Sequence, residues 1–379
     1  MAFQFTEEQI MIRNMVREFT KNEVAPRDKW MDENGFDFEL YKKFTEAGLA
    51  GVHVPEEYGG AGGDAVITAI VIQELAKGSA SFALFMDVNF LVGDIILEHG
   101  TEEQKKKYMP QIAEGKIFAF GLTESMAGSD AAGIQSVCKQ QEDGTWLLNG
   151  SKAWITNSGV ADYYVILALT DPEAGTKGIS AFMMPKEAKG LTIGKFEDKM
   201  GMRGTATCEL SFDNIVLPAD ALIGQLGQGF KIAMMALDGA RISVAAIATG
   251  LAQHAMEVAK DYANSRVAFG KPISKFQGIS FKFADMSAKI RAMELMTYDT
   301  AFMKTRGERH TLEAAQAKLF SAVNCTQICL EAQQILGGNG YSKEYHVERF
   351  VRDAKLLEIG EGTNEIMRVI IGGTVLAQK

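Results

Sequence analysis

The spacing of apolar residues along the chain changes twice and divides the chain into three regions. From 1 to about 117, apolar residues recur at helical spacing, as in TEEQIMIRNMVREFT, where Thr6 is a candidate N-cap. From 118 to 225 the chain has short apolar runs, such as DYYVILAL and GISAFMMP, separated by turn sequences, which is typical of strands. From 226 to 379 wide apolar stripes return, and these predict helices packed in a bundle.

The predicted fold class is therefore α+β and mainly α, with a helical region, a β region and a second helical region in that order. At roughly 100–200 residues per domain, a chain of 379 residues has room for two or three domains. The helices predicted for the last region span 228–266, 275–305, 311–337 and 362–377.

Composition excludes several classes of protein. A net charge of -9 disfavours a nucleic-acid partner, which normally leaves a basic patch, although backbone N–H groups can still bind anionic ligands. No run approaches the 18 uninterrupted apolar residues of a membrane span, and the N-terminus enters an acidic amphipathic helix directly, unlike a secretion signal. The four cysteines lack CxxC spacing, so we interpret them as small buried residues and predict no metal site.

Two stretches of the β region are candidate ligand sites. FGLTESMAGSD, over 120–130, places small residues after a strand, where backbone N–H groups are open to a planar ring or a pyrophosphate. An ordinary loop is the alternative. In SKAWITNSG, Trp154 and Thr156 are two residues apart on a predicted strand and should share a face, stacking on a cofactor and hydrogen-bonding its edge. The alternative places Trp154 in the core.

Two stretches of the last region are further candidates. SRVAFGKPISKFQ brings Arg266, Lys271 and Lys275 together at a helix end, which indicates either phosphate recognition or a solvated terminus. QILGGNGY ends a long helix with three glycines, whereas a helix C-cap needs one. The extra glycines predict backbone that is open to a ligand, and the absence of a preceding strand excludes a Rossmann dinucleotide site.

Near the C-terminus, LEIGEGTNEIM contains three glutamates, Glu358, Glu361 and Glu365. An exposed helix would accept all three acids but would be weakened by glycine. Only Glu361 lies between two glycines, Gly360 and Gly362. The stretch is therefore interpreted as a loop that presents one carboxylate.

These stretches, in this order, resemble the acyl-CoA dehydrogenase family. GLTESMAGSDAAG, over 121–133, is similar to its first signature, and QILGGNGYSKEYHVERFVRD, over 334–353, is similar to its second. The resemblance covers essentially the whole chain. It implies an N-terminal helical domain at 1–117, a middle β domain at 118–225 and a C-terminal four-helix bundle at 226–379. It also implies FAD, a homotetramer built as a dimer of dimers, an electron-transfer flavoprotein as partner, and a bacterial cytoplasmic enzyme.

The resemblance also implies roles around the flavin. Phe120, Leu122 and Thr123 should line its pyrimidine ring, Trp154 should pack on the ring system and Thr156 should hydrogen-bond the N5 edge. Ser129 should lie near the flavin diphosphate or the pantetheine of the ligand, and Thr363 should meet the diphosphate. The residues expected to reach the FAD of a neighbouring subunit are Arg266, Phe269, Gln277, Gln334 and Gly338.

Glu361 matches the catalytic base of the family, which removes the Cα proton of an acyl thioester while a hydride leaves Cβ. Removal becomes feasible when hydrogen bonds stabilise the enolate oxygen and burial raises the pKa of the base. Asp238 and Arg241, in LDGAR, match a ligand-contacting pair. Arg241 could instead steady the Glu361 loop or form a salt bridge within the bundle.

The chain departs from the family pattern beside the base. Gly360 replaces a frequent aromatic residue, so the acyl cavity is expected to accept branched or aryl groups, unless glycine serves only backbone freedom. In the helix expected to line the acyl end, the bulk of Phe85 and Met86 should exclude long chains, and the absence of arginine there disfavours a distal carboxylate. Asp87 and Asn89 could contact a polar substituent or be ordinary helix polarity.

The sequence thus predicts a short-chain acyl-CoA dehydrogenase, or an enoyl-CoA reductase when it runs in reverse. A branched or aryl thioester is the alternative substrate class. A non-catalytic acyl-CoA-binding protein on the same scaffold is the alternative without chemistry.

Overall fold

The structure of the protein is a computed structural model that describes residues 4–377. The N-terminal region is helical. Thr6 and Thr101 each form a complete capping box with the glutamine three residues later, which fixes the starts of the first and sixth helices. These helices are α1 Glu7–Phe19, α2 Asp28–Asn34, α3 Phe38–Glu46, α4 Ala65–Ala76, α5 Ala80–His99 and α6 Glu102–Ala113.

The middle region forms a mixed sheet. Its strands are β1 Phe118–Gly121, β2 Val137–Gln140, β3 Trp146–Ile155, β4 Tyr163–Leu169, β5 Ile179–Pro185, β6 Leu191–Ile193, β7 Cys208–Leu217 and β8 Leu222–Ile223. The order is β6-β7-β3-β2-β4-β5-β8, and β1 pairs in parallel with β4. The β3–β7 register shifts twice, before Gly150 and again between Lys152 and Ile155. The second shift lies at the edge of the candidate cofactor site.

The C-terminal region packs long helices around α7. It contains α7 Gly229–Ser265, a hairpin of β9 Val267–Ala268 and β10 Lys271–Pro272, then α8 Gln277–Thr305, α9 Thr311–Leu336, α10 Val347–Leu357 and α11 Asn364–Ala377. The helix α7 contacts α4, α5, α8 and α9. A Cβ atom at Gly250 would lie 2.2 Å from the Gln73 carbonyl oxygen, so glycine is what lets α7 reach the backbone of α4.

Two helices of the described residues, α5 and α7, are long and apolar enough to cross a membrane by length and composition alone. Of their most apolar windows, 89% and 67% respectively is buried inside the fold. Core helices of globular proteins pass the same test, and the packing of α5 and α7 is of that kind.

The predicted fold class is confirmed, and so are the Thr6 N-cap and the long helices of the last region, to within two residues at each end. The helix α10 was absent from the predicted helices. The four cysteines are free and buried, as interpreted, and the described residues hold no group of three or more side chains suited to a metal ion.

The prediction that Trp154 and Thr156 share a strand face is wrong. The strand β3 ends at Ile155, and Trp154 has a left-handed backbone with φ of 60° where the pairing with β7 shifts. The bulge turns the indole outwards, leaving Trp154 61% exposed, and Thr156 lies in the following turn. The alternative that placed Trp154 in the core is wrong as well.

Candidate active site

Glu361 lies in the turn between α10 and α11 with a left-handed backbone, φ of 53°, which is uncommon for a residue with a Cβ atom. Strained backbone of this kind persists only where the surrounding structure holds it. Burial raises the pKa of the Glu361 carboxyl above its usual value, and the nearby cations Arg241 and Lys318 offset part of that rise. The turn therefore presents a carboxylate with increased basicity.

Arg241 of α7 steadies the Glu361 turn and also forms the salt bridge that was its alternative role. Its Nη1 donates to Asp238 Oδ1 at 2.6 Å, and its Nε approaches the Glu361 carbonyl oxygen at 3.4 Å. The second carboxylate oxygen of Asp238 accepts from the Thr311 hydroxyl at 2.7 Å. Asp238 and Arg241 thus join α7, the start of α9 and the turn that carries Glu361.

Lys318 is a residue of this site that the sequence reasoning missed. It is fully buried on α9, and its Nζ donates to the Gly362 carbonyl oxygen at 2.7 Å and to Asn364 Oδ1 at 3.2 Å. Burial lowers the pKa of Lys318 to about 8, although Glu361 and other carboxylates favour its charged form. The available signal was a lysine inside the alanine-rich stretch AAQAKLF, where a helix face is buried.

The two glycines beside Glu361 serve different purposes. Gly362 has φ of 90°, and a Cβ atom there would lie 2.9 Å from the Met367 methyl carbon, so the turn requires glycine. A Cβ atom at Gly360 would meet the Leu356 carbonyl oxygen at an ordinary 3.5 Å, and its φ lies outside the left-handed region. The backbone therefore does not require glycine at 360.

The loop after β1 is bound to the end of β3. The Thr123 carbonyl oxygen accepts from the Ala153 N–H at 2.9 Å, and the buried Lys152 donates to the Leu122 carbonyl oxygen at 3.0 Å and to Glu124 at 2.7 Å. The Glu124 carboxylate also accepts the backbone N–H groups of Gln135 and Ser136, at 2.6 and 3.0 Å. These bonds hold the first signature in place.

The same bonds bring several predicted cofactor residues together. Phe120 lies within β1, and Leu122 and Thr123 follow this strand. Trp154 and Thr156 lie beside them, at the end of β3 and directly after it. Farther along the loop, Ser129 is exposed, and a Cβ atom at Gly128 would meet nothing within 4 Å. An exposed indole beside an open small-residue loop fits a planar ring with a phosphate tail.

The other predicted cofactor residues form a second cluster at the far end of α7. Arg266 follows that helix, the 95% exposed Phe269 forms the hairpin tip, and Gln277 begins α8. Asn339 ties the glycine-rich turn to this end, because its Nδ2 donates to the Tyr262 hydroxyl at 2.9 Å.

A cavity of about 320 Å³ opens beside this cluster, lined by Gln334, Gly337 and Tyr341 among others. Gly338 is open, with nothing within 4 Å of an added Cβ atom. At 1.5 Å per residue, Arg266 lies about 38 Å along α7 from Arg241. The second cluster thus lies far from the Glu361 turn that Arg241 contacts.

A second cavity, of about 160 Å³, lies between α4, α5 and α7. Positions 87, 90, 91 and 94 of α5 line it as one helical stripe. Phe85 and Met86, predicted to limit the acyl group, do not line it: Phe85 packs on Phe36 with ring centroids 4.3 Å apart, and both side chains are fully buried in the core.

Thr363 caps α11, because its hydroxyl accepts from the Ile366 N–H at 3.2 Å.

Asn89 of α5 has a structural role. Its Oδ1 accepts from the Phe118 N–H at 2.8 Å, which ties α5 to β1. This bond explains the presence of Asn89 without a contact to a substrate substituent. Asp87, the other residue considered for such a contact, has no hydrogen bond of this kind to the sheet.

Three family models match consecutive parts of the chain. They are the N-terminal domain of acyl-CoA dehydrogenases at 6–116, the middle domain at 119–215 and the C-terminal domain at 227–376. The chain belongs to the acyl-CoA dehydrogenase family. It is accordingly a flavin-dependent oxidoreductase whose cofactor is FAD.

The chain is similar over its full length to characterised relatives. It is 44% identical to the short-chain-specific acyl-CoA dehydrogenase of Clostridium acetobutylicum, over 99% of this chain and 100% of the relative. It is 40% identical to the acryloyl-CoA reductase (NADH) of Anaerotignum propionicum, over 99% and 96% of the two chains. Butyryl-CoA dehydrogenase from Megasphaera elsdenii superposes with a TM-score of 0.97 at 43% identity, covering 99% and 100%.

Proposed function

We propose that the protein catalyses the α,β-dehydrogenation of a short-chain acyl-CoA, or the reverse reduction of a 2-enoyl-CoA, with Glu361 exchanging the Cα proton. The observation that carries this proposal is the Glu361 turn. A carboxylate of raised pKa lies on strained backbone, held from α7 by Arg241 and from α9 by Lys318. Such anchoring fixes the direction from which a base approaches its substrate.

Bound FAD supplies the acceptor for the hydride that leaves Cβ. The chain's own contribution is to position and remove the proton. Glu361 Oε takes the Cα proton in dehydrogenation and returns it in reduction, so one carboxyl serves both directions. The positive charges of Arg241 and Lys318 keep the pKa of this carboxyl from rising further. This matters for catalysis, since only the ionised carboxylate can accept a proton.

We propose that the first cluster, Leu122, Thr123, Trp154 and Thr156 with Phe120 and Ser129, holds the flavin of its own subunit. Thr363, at the start of α11, should meet the diphosphate of that flavin. The second cluster, Arg266, Phe269, Gln277, Gln334 and Gly338, should contact the FAD of a neighbouring subunit. The separation of the second cluster from the Glu361 turn along α7 and the exposure of Phe269 support this division.

We further propose a homotetramer built as a dimer of dimers, with an electron-transfer flavoprotein that exchanges electrons with the FAD. The three domains should be 1–117, 118–225 and 226–379, near the limits of the family models. A bacterial cytoplasmic location is the corresponding proposal for the compartment.

The experiment that tests the function is anaerobic bleaching of the flavin. The purified protein should be yellow, and butyryl-CoA should reduce its absorbance. Glu361→Gln should keep the flavin but abolish bleaching. Glu365→Gln is the matched control, since this glutamate lies four residues away on α11 and is exposed. Retained bleaching in Glu361→Gln would place the base elsewhere, and acyl-CoA binding without bleaching in the unaltered protein would favour a non-catalytic binding protein.

The width of the acyl cavity is a second question for the same assay. We propose that Gly360 leaves volume beside the reacting carbons for a branched or aryl group, which is supported by the ordinary contacts that an alanine Cβ would make there. Rates with butyryl-, isovaleryl- and phenylpropionyl-CoA decide this point. A strict preference for butyryl-CoA contradicts it.

A further inference from the structure

The 160 Å³ cavity between α4, α5 and α7 has a mainly apolar lining that is interrupted by several polar side chains. Besides Phe90 and Leu91, its lining includes His53, Asp87, Ser243 and the ion pair of Asp94 with Lys304. Acyl chains are normally held by apolar side chains, because buried polar groups lose hydrogen bonds to water without replacement. The polar part of the lining therefore suits an acyl group that itself carries a polar atom.

The cavity adjoins the catalytic turn. Ala240 and Ser243, which flank Arg241 on α7, both line it, and Arg241 contacts the Glu361 carbonyl oxygen. The charge of Glu361 also acts on Asp87, which lines the cavity. A short acyl group with its Cα at Glu361 would extend along this part of α7.

Two buried side chains of the cavity have polar atoms without a hydrogen-bond partner among the described residues. Asp87 is 1% exposed and its Oδ2 is unpaired, while His53 is 5% exposed and both ring nitrogens are unpaired. Gly93 makes room for the imidazole, because a Cβ atom there would lie 2.0 Å from His53 Nε2. Unpaired buried groups of this kind are rare and need an explanation.

The protonation states make the cavity rich in donors. Burial, and then the charge of Glu361, raises the pKa of Asp87 well above its usual value, which favours the protonated, donating form of its carboxyl. Burial lowers the pKa of His53 to about 4, so its ring is neutral with one N–H. Lys304 stays charged, because Asp94 at 2.5 Å outweighs its burial and raises its pKa.

The surrounding charges disfavour an ionic occupant of either sign. A second carboxylate would meet Asp64, Asp87 and Asp94 at the lining of the cavity, with Lys304 as the cation that lines it and is already paired. A cationic group would meet the ammonium of Lys304, and of the lining carboxylates Asp94 is paired with that lysine while Asp64 caps α4 by accepting from the Ile67 N–H. An uncharged oxygen atom can accept from the Asp87 hydroxyl or the His53 N–H at no cost in charge.

We propose that the natural acyl group carries an uncharged oxygen, as a carbonyl, ether or hydroxyl, near its far end, and that Asp87 binds this oxygen. The proposal rests on the proposed function and names the substrate class of that site. An alkyl chain of the same size leaves Asp87 Oδ2 without a partner, and sites built to bond a substrate oxygen discriminate strongly against such analogues.

The test compares isosteric thioesters with the holoenzyme. The pairs are 4-oxopentanoyl-CoA with 4-methylpentanoyl-CoA, and 5-oxohexanoyl-CoA with 5-methylhexanoyl-CoA, because the chain position that reaches Asp87 is open. In at least one pair, kcat/KM for the oxo compound should be higher by about tenfold or more. Equal rates, or faster turnover of the alkyl compounds, overturn the proposal. Faster turnover of 4-guanidinobutyryl-CoA or glutaryl-CoA than of both oxo compounds also overturns it.

Variants assign the preference to its residue. Asp87→Leu should bring the oxo-to-methyl ratio to one or below, whereas Asp87→Asn, which keeps a donor, should retain a ratio above one. An unchanged ratio in Asp87→Leu refutes the assignment, and if that variant does not fold, Asp87→Ala carries the comparison with the same expected loss of preference, so that an unchanged ratio there refutes it equally. Butyryl-CoA is the reference. Bleaching by butyryl-CoA without an oxo preference refutes the subsite alone, while no bleaching by any thioester refutes the proposed function.

Discussion

Replacing Lys318 with methionine separates the electrostatic contribution of this lysine from its contribution to stability. Methionine keeps the length and apolar stem of lysine and removes the ammonium group. Two hydrogen bonds would be lost, those to the Gly362 carbonyl oxygen and to Asn364. One of the two cations that hold down the pKa of Glu361 would be lost with them.

The expected change in stability is limited because two effects offset each other. The lost hydrogen bonds come from a charged donor and are worth about 3–6 kcal/mol together, at about 1.5–3 kcal/mol each. Against this, the pKa of Lys318 is lowered from 10.5 to about 8 in the folded protein, so keeping the lysine charged there costs about 3 kcal/mol at neutral pH. The free energy of unfolding at pH 7 should therefore fall by no more than about 3 kcal/mol.

The change in catalysis should be clear, because nothing offsets the loss of charge at Glu361. The pKa of its carboxyl should rise further, and the ascending limb of kcat/KM against pH for butyryl-CoA should move to higher pH. The assay is a dye-coupled rate measured across pH, beside urea unfolding at pH 7. Lys355→Met is the control, since this lysine is half-exposed and pairs with Glu358 on the protein surface.

Two results would refute this reasoning. A pH profile that stays in place or moves to lower pH would show that Lys318 does not act on the charge of Glu361. A loss of more than about 4 kcal/mol in unfolding free energy would show that the cost of burying the charge does not offset the hydrogen bonds as argued. Equal shifts in Lys318→Met and Lys355→Met would assign the effect to net charge.

Three further predictions concern the same loops. Lys152→Met should destabilise the protein by about 3–5 kcal/mol in urea unfolding and weaken flavin retention, because it leaves the Glu124 carboxylate buried without its cation. An intact flavin spectrum together with unchanged stability would contradict this prediction. Gly362→Ala should lower the free energy of unfolding by about 1–2 kcal/mol and lower kcat, because φ is 90° there. Gly360→Ala should be neutral or stabilise the protein by about 0.4–1 kcal/mol. Equal effects of the two substitutions on thermal unfolding would refute the distinction. Since the pKa of Glu361 is raised and only its ionised form accepts a proton, acyl-CoA dehydrogenation should rise with pH through that pKa while enoyl-CoA reduction falls; profiles with the same sign in both directions would exclude Glu361 as the shared group.

The elements of the fold that leave a periodic pattern of apolar residues were predictable from sequence. Apolar periodicity gave the helical, β and helical regions, and the Thr6 capping box marked the first helix because its bonds involve residues three apart. The exposed position of Trp154 was not predictable, because a bulge shifts the side-chain alternation by one residue and leaves no periodic signal. The helix α10 was not predicted. Its N-cap residue, His346, has a left-handed backbone with φ of 56° directly before the first turn.

The site was predictable where it depends on motif position and not where it depends on tertiary contacts. Glu361 stood out through its two glycines, but which glycine the backbone requires became clear only from φ and from the atoms around each Cβ position. Lys318 lies 43 positions before Glu361, so its role exists only once α9 packs against the turn. The cavity is lined by Asp87 instead of Phe85, because a helix exposes one stripe and buries the others.

The charge of Glu361 acts on Asp87, and this coupling between two acids bears on both directions of the reaction. Each ionised form disfavours the other, but the two carboxyls differ in surroundings: Arg241 and Lys318 favour the charge on Glu361, while Asp87 has chiefly burial acting on it. The negative charge therefore resides on Glu361. When Glu361 takes the Cα proton, its field on Asp87 disappears, yet burial, the larger cause of the raised pKa of Asp87, remains. The protonated form of Asp87 is thus favoured both before and after proton transfer, and an oxygen bound to it would be held for dehydrogenation and for reduction.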